Sequence, residues 1–161
     1  MIKLRSLPQL VNSKKPIMYK QILLAYDGSQ AGQKALLDCQ DIVKWSGAAL
    51  TLVAVMPREI AFSAAEGGFY DLEMYAREKK SFKYVLEQGL RTLTDAGFKV
   101  TGEVLVGDSV HELSSFARKI SADLIVVGHK HEKNWVTRWW GGSGSSALVE
   151  HAPCSVLMVI T

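Results

Sequence analysis

Asp123-Leu124-Ile125-Val126-Val127-Gly128-His129-Lys130-His131, followed fourteen residues after Gly128 by Gly142-Ser143-Gly144-Ser145-Ser146, is the stretch on which the fold turns. An unbroken apolar run that ends on a glycine reads as a strand buried on both faces. A basic segment comes next, then a Gly/Ser cluster that opens a helix. Backbone amides at such a helix N-terminus make a ready cradle for a phosphate.

The same alternation of strand and helix continues upstream. Lys20 to Tyr26 holds the apolar run Ile22-Leu23-Leu24-Ala25, and Asp27-Gly28-Ser29 turns it into a helix expected over Gln30 to Trp45. There Ala31, Ala35, Leu36, Cys39, Ile42 and Val43 recur at helical spacing, Ser29 is a suitable N-cap and Gly47 marks the end. Ala49 to Met56 predicts a second buried strand, closed by Pro57, and Arg58 to Phe69 is the longest expected loop. Residues 70–96 carry the longest helical pattern, with Leu72, Tyr75, Phe82, Val85, Leu86, Leu90 and Leu93 on its apolar side and Gly97 as the stop.

Val100 to Val106 alternates more than the other strands, which places it nearer an edge. Gly107-Asp108-Ser109 starts the next helix; Ser109 and Glu112 have capping-box spacing, and Val110, Leu113, Phe116, Ala117 and Ile120 form its buried stripe. Leu124 to Val127 is a fourth strand, residues 143–150 a last helix, and Cys154 to Ile160 a fifth strand. This repetition predicts an α/β fold, a parallel sheet with helices on both faces. Ligands in such sheets sit outside the carboxyl ends of the strands, where strand order reverses. Tyr26-Asp27-Gly28 and the segment from Gly128 onward have the chemistry to meet there.

With 161 residues and 48% hydrophobic content, the chain fits one globular domain, expected over residues 18–161. Residues 1–17 contain Lys3, Arg5, Lys14 and Lys15 with no acid and no apolar periodicity, and are expected to be a disordered extension outside the fold. Their deletion should leave the melting temperature nearly unchanged. A drop of more than about 5 °C, which at this size means more than about 1 kcal/mol, would refute that. Without them the net charge falls from +3 to −1, from 15 basic and 16 acidic side chains. No clustered basic face remains to bind nucleic acid. No apolar run approaches the roughly 18 residues that span a bilayer, so no membrane association and a cytoplasmic location are expected. Cys39 and Cys154 have neither metal-ligand nor redox spacing and read as core residues.

Ile22-Leu23-Leu24-Ala25-Tyr26-Asp27-Gly28-Ser29, Val106-Gly107-Asp108-Ser109, Leu124-Ile125-Val126-Val127-Gly128, Gly142-Ser143 and His151-Ala152-Pro153-Cys154-Ser155-Val156-Leu157 together resemble the universal stress protein family, in its order and near its spacings. The resemblance implies an open, Rossmann-like five-stranded sheet of order 3-2-1-4-5, of the adenine nucleotide alpha hydrolase-like type. It also implies a homodimer paired through the strand at Cys154 to Ile160, and no established catalytic chemistry. Some members bind ATP, and these carry the signature Gly, two residues, Gly, nine residues, Gly, then Ser or Thr.

This chain follows that signature in part. Gly128 matches the first glycine and Gly142-Ser143 the last pair, but His131 stands at the second glycine, and ten residues separate it from Gly142. A Cβ where backbone approaches a phosphate costs about 1 to 3 kcal/mol, or roughly 5- to 150-fold in affinity. The inserted residue gives the loop freedom to move His131 aside. Lys130, Lys133, Arg138, His129 and His131 face only Glu132 as counter-charge, and residues 143–146, with Gly144 and Ser145 among them, offer amides and hydroxyls to a phosphate.

By the family's pattern Ala25, Tyr26 and Asp27 would lie along the nucleoside, with Asp27 accepting from ribose hydroxyls or helping to hold Mg2+ at the phosphates. Val55 and Val127 would line the adenine pocket. The plainer reading of Asp27-Gly28-Ser29 is a strand-to-helix turn whose Asp caps amides, and the valines are core residues in either case.

Other features carry less. His129 and His131 have no further ligand at suitable local spacing for zinc. His111 and His151 read as surface or capping residues. Ser143 to Ser146 lacks the strand that a nucleophile elbow needs directly before its serine. Trp135, Trp139 and Trp140 cover the underside of the loop, stack on a ligand or meet a partner. The expectation is a non-enzymatic stress-response regulator that binds ATP or another adenine nucleotide. The alternative is a nucleotide-free interaction protein whose pocket is closed by His131 and the tryptophans, its protein partner not named by the residues.

Overall fold

A computed structural model describes residues 18–57, 69–129 and 144–160 of the chain. Their elements alternate as β1 (Gln21–Ala25), α1 (Gln30–Ser46), β2 (Ala49–Met56), α2 (Phe69–Asp95), β3 (Val100–Val106), α3 (Ser109–Lys119), β4 (Leu124–His129), α4 (Gly144–His151) and β5 (Ser155–Ile160). Every strand pair is parallel, and the sheet runs β3-β2-β1-β4-β5. Strand order therefore reverses between β1 and β4, as the resemblance implied.

The continuous apolar runs are explained by burial on both faces of the sheet. On one face Ile22, Leu24 and Tyr26 pack with Leu36 and Cys39 of α1 and with Leu86 and Leu93 of α2. On the other, Leu23, Val53, Val55, Ile125 and Val127 pack with Leu113 and Phe116 of α3 and Leu148 of α4. Ile22, Leu23 and Leu24 are fully buried in sequence, each worth about 1.5–3 kcal/mol of transfer free energy. β3 and β5 are the edges, and the alternating β3 leaves residues 101–103 exposed.

Two local expectations needed correction. The N-cap of α3 is Asp108, whose carboxylate accepts from the His111 N–H at 2.9 Å, so Ser109 and Glu112 form no capping box. Leu72, expected in the apolar stripe of α2, is 58% exposed. The reason is reach: Val85 already lies against Gly28 beyond the end of β1. At 1.5 Å per residue, the helix has run about 20 Å past that point by Leu72.

Asp123 ties the amino ends of the two central strands together, its carboxylate accepting from the Lys20 N–H at 2.7 Å and the Gln21 N–H at 3.1 Å. Cys39 is a buried core residue, and Cys154 is half-buried against the second cluster. Burial pushes the Cys39 thiol up to about 12, and burial followed by the charge of Asp123 raises that of Cys154. No described helix is long and apolar enough to cross a membrane.

Candidate functional site

The turn after β1 is built around Asp27. Its Oδ1 accepts from the Ser29 N–H at 2.9 Å and from the Ser29 hydroxyl at 2.5 Å. Ser29 Oγ in turn accepts from the Gly32 N–H at 3.0 Å, which makes Ser29 the N-cap of α1. The plain turn reading of Asp27 is thus what Oδ1 does. Oδ2 has no partner among the described residues. The carboxylate is half-buried beside a helix N-terminus, where the aligned peptide dipoles favour negative charge.

Tyr26 contributes main chain to the site rather than its ring. The ring is buried, lying where a side chain at Gly89 would meet it at 2.8 Å, and its hydroxyl pairs with Gln33 Nε2. Burial, then the Asp27 charge, raise the phenol above its usual range, against the Gln33 hydrogen bond, which lowers it. Its N–H donates to the Val53 carbonyl at 2.8 Å, extending the ladder one residue past β1. Ala25 pairs with Val53 on one side and Val127 on the other and is half-buried. Val55 and Val127 are buried in the cluster beneath α3 and α4, so together these residues form an apolar floor under the carboxyl ends.

Gly128 ends the buried run of β4 for a reason the structure makes explicit. A Cβ there would stand 2.3 Å from the Ala31 carbonyl oxygen and 2.7 Å from the Gly32 nitrogen. The first turn of α1 rests directly on its Cα, so close approach of a helix is one use of this glycine. Gly28 holds a φ of 75° with Val85 of α2 above it, and closes the turn from the other side.

α4 begins at Gly144 and includes Ser145, placing a helix N-terminus in the connection that follows β4. His131, Gly142, Ser143, Lys130, Lys133, Arg138 and the three loop tryptophans lie outside the described residues. The structure therefore brings together Ala25, Tyr26, Asp27, Val127 and Gly128, with Val55 buried nearby. His111 and His151 are exposed, and the His151 ring meets the Ala147 carbonyl at 2.8 Å. Among the described residues, no three His, Cys, Asp or Glu side chains gather as a metal site.

Three residues at the site were not assigned to it from the sequence, which placed Val85 only on the apolar side of its helix. Gln33 fixes the Tyr26 hydroxyl, Val85 covers Gly28, and Gly32 leaves room for Asp27, since a Cβ at Gly32 would stand 2.4 Å from Asp27 Oδ1. Gly32 carried a usable signal: a glycine inside a helix costs about 1 kcal/mol against alanine and usually has a packing reason. A depression at the opposite, amino end of the sheet is lined by Gln21, Thr51, Phe98 and Thr101 among others. Its polar groups bond one another, Gln21 Nε2 to Thr51 Oγ1 at 2.9 Å and Thr51 to Thr101 at 3.3 Å. The switch point is the better site, because there the strand ends leave polar groups for a ligand.

Comparison with known proteins gives one family. The universal stress protein family matches residues 18–159. A relative named as a universal stress protein in Staphylococcus epidermidis is 35% identical over 147 residues, covering 90% of this chain and 86% of its own. The crystal structure of a universal stress protein family member from Burkholderia pseudomallei is 26% identical with a TM-score of 0.69, covering 88% of this chain and 96% of that one. Two more distant structures share the fold. One from Archaeoglobus fulgidus, in complex with dAMP, is 17% identical, with a TM-score of 0.60 over 88% of this chain and 98% of that one. One from Arabidopsis thaliana, with AMP bound, is 15% identical, with a TM-score of 0.58 over 88% and 91%.

Proposed function

The chain belongs to the universal stress protein family, and we propose that it binds an adenine nucleotide weakly at the β1/β4 switch point and serves as a cytoplasmic, homodimeric regulator rather than a catalyst. The observation that carries this reading is the Asp27 carboxylate. It is held by Ser29 through Oδ1 at the end of β1, with Oδ2 unpartnered among the described residues, where the family pattern expects an acceptor for ribose hydroxyls. The nucleotides bound by the Archaeoglobus and Arabidopsis proteins support the ligand class. The N-terminus of α4 and the basic residues between Gly128 and Gly142 supply the chemistry for phosphate. Mg2+ would accompany a polyphosphate ligand. Among the described side chains at the site Asp27 is the candidate general base, and its engagement by Ser29 suits binding more than proton transfer.

Calorimetry with AMP, ADP and ATP tests the proposal. The parent protein should bind weakly, and more weakly as salt rises, because the phosphate contacts are charged. His131→Gly should tighten binding, by roughly 5- to 150-fold if the histidine stands at the close approach. Gly142→Val should abolish binding, since a β-branched side chain would fill the phosphate cradle that the family signature implies at this glycine. No heat from any of the three at millimolar ligand, in the parent and the His131→Gly variant alike, would favour the nucleotide-free interaction protein.

A further inference from the structure

We propose that Gly32 is a positioning residue for ribose recognition, acting through Asp27. This rests on the nucleotide-binding reading above. Three contacts interlock at the start of α1: the Gly32 N–H donates to Ser29 Oγ, the Ser29 hydroxyl donates to Asp27 Oδ1, and the Ser29 N–H donates to the same oxygen. Of the atoms that make them, Asp27 Oδ1 occupies the space that a side chain at residue 32 would take. A Cβ there would lie 2.4 Å from Oδ1, but 3.4 Å from Ser29 Oγ and 3.4 Å from the Tyr26 ring. The conflict is therefore with the carboxylate alone; the helix cap and the Tyr26 ring are at ordinary contact distance.

The direction of the effect follows. Neither the main chain of α1 nor the core is obstructed at Gly32, so alanine is accommodated by rotation of Asp27 about its χ1. That rotation breaks both bonds to Ser29 and carries Oδ2 with it. The stability lost with those hydrogen bonds is of the same order as the helix propensity gained from Gly to Ala. The fold should thus be nearly indifferent to the change while the aim of the carboxylate is lost. A packing glycine behaves otherwise, and Gly128 is the internal contrast, since its Cβ would meet helix main chain.

The experiment compares AMP with its 2′-deoxy and 3′-deoxy analogues on the full chain, the Gly32→Ala and Asp27→Ala variants, and the double variant. The parent should prefer AMP to at least one analogue by about tenfold, the weight of one hydrogen bond to a charged acceptor. Gly32→Ala should bring AMP down to the level of that analogue and leave the analogue's affinity unchanged. Asp27→Ala should do the same, and the double variant should lose no more than either alone. Equal weakening of all three nucleotides by Gly32→Ala, or an unchanged AMP preference, would overturn the proposal.

A second measurement separates failure of this inference from failure of the nucleotide reading. The Ser29 amide resonance, followed by NMR without ligand, should respond to Asp27→Ala in the parent, because its N–H donates to Asp27 Oδ1, and cease to do so in the Gly32→Ala background. Loss of that response with no nucleotide bound by any form would refute the ribose role while assigning the fault to the nucleotide reading. Persistence of the response in Gly32→Ala would refute the positioning role directly.

Discussion

Replacing Gly128 with alanine is expected to destabilise the nucleotide-free protein by about 3 kcal/mol, a fall in melting temperature of about 6–12 °C for a chain of this size. The magnitude comes from what the new methyl would strike. Overpacking against side chains costs about 1–3 kcal/mol because they can turn away. At Gly128 the obstruction is the Ala31 carbonyl at 2.3 Å and the Gly32 nitrogen at 2.7 Å, and main chain moves only if the first turn of α1 lifts. That lift would also disturb the Ser29 cap and the packing of Ala31, both set in the same turn. Thermal melts followed by circular dichroism without ligand provide the check. An unchanged melting temperature with loss of nucleotide binding alone would mean that this glycine serves only ligand approach.

Gly128 also shows where reading from sequence stops. The residue type says that something comes close; it does not say whether that is a phosphate, a helix or a turn. What the sequence displayed well was burial, because a short run of adjacent apolar residues such as Ile22-Leu23-Leu24, closed by the turn residues Asp27-Gly28-Ser29, suits a strand covered on both sides. Helix faces were also legible: Ala31, Ala35, Leu36, Cys39 and Val43 are all buried. Strand order was not in the periodicity, which is local, and came with the family resemblance.

The misses have the same physical origin. Periodicity gives the direction a helix faces but not how far it outruns the sheet, so Leu72 fits the stripe of α2 and still meets solvent. Asp108 and Ser109 are both good cap formers, and only the extended φ and ψ of Asp108, −70° and 128°, decide between them. Tyr26 is polar at one end and follows an apolar run, so its side of the sheet depended on whether a helix glycine made room. Gly89 does, and the ring lies inside.

The unaltered protein is expected to be a dimer at micromolar concentration, with twice the 17.7 kDa chain mass in sizing with light scattering. β5 is an edge strand, and its outer row of backbone donors and acceptors has no neighbour in the described sheet. Beyond Ser155 its residues are apolar: Val156, Leu157 and Met158 are half-buried and Ile160 is 57% exposed. A short apolar edge with neither charge nor proline is a template for another strand, and a second copy of β5 satisfies it while closing the assembly at two chains. Val159→Pro removes a backbone donor from this strand and should give monomer or aggregate. Because Val159 is buried, that variant also strains its own sheet. Ile160→Asp adds the cleaner arm: its side chain is exposed in the single chain, so a carboxylate there should leave the fold intact and shift the mass toward 17.7 kDa. A monomeric parent at micromolar concentration, or an Ile160→Asp variant that remains fully dimeric, would count against pairing through this strand.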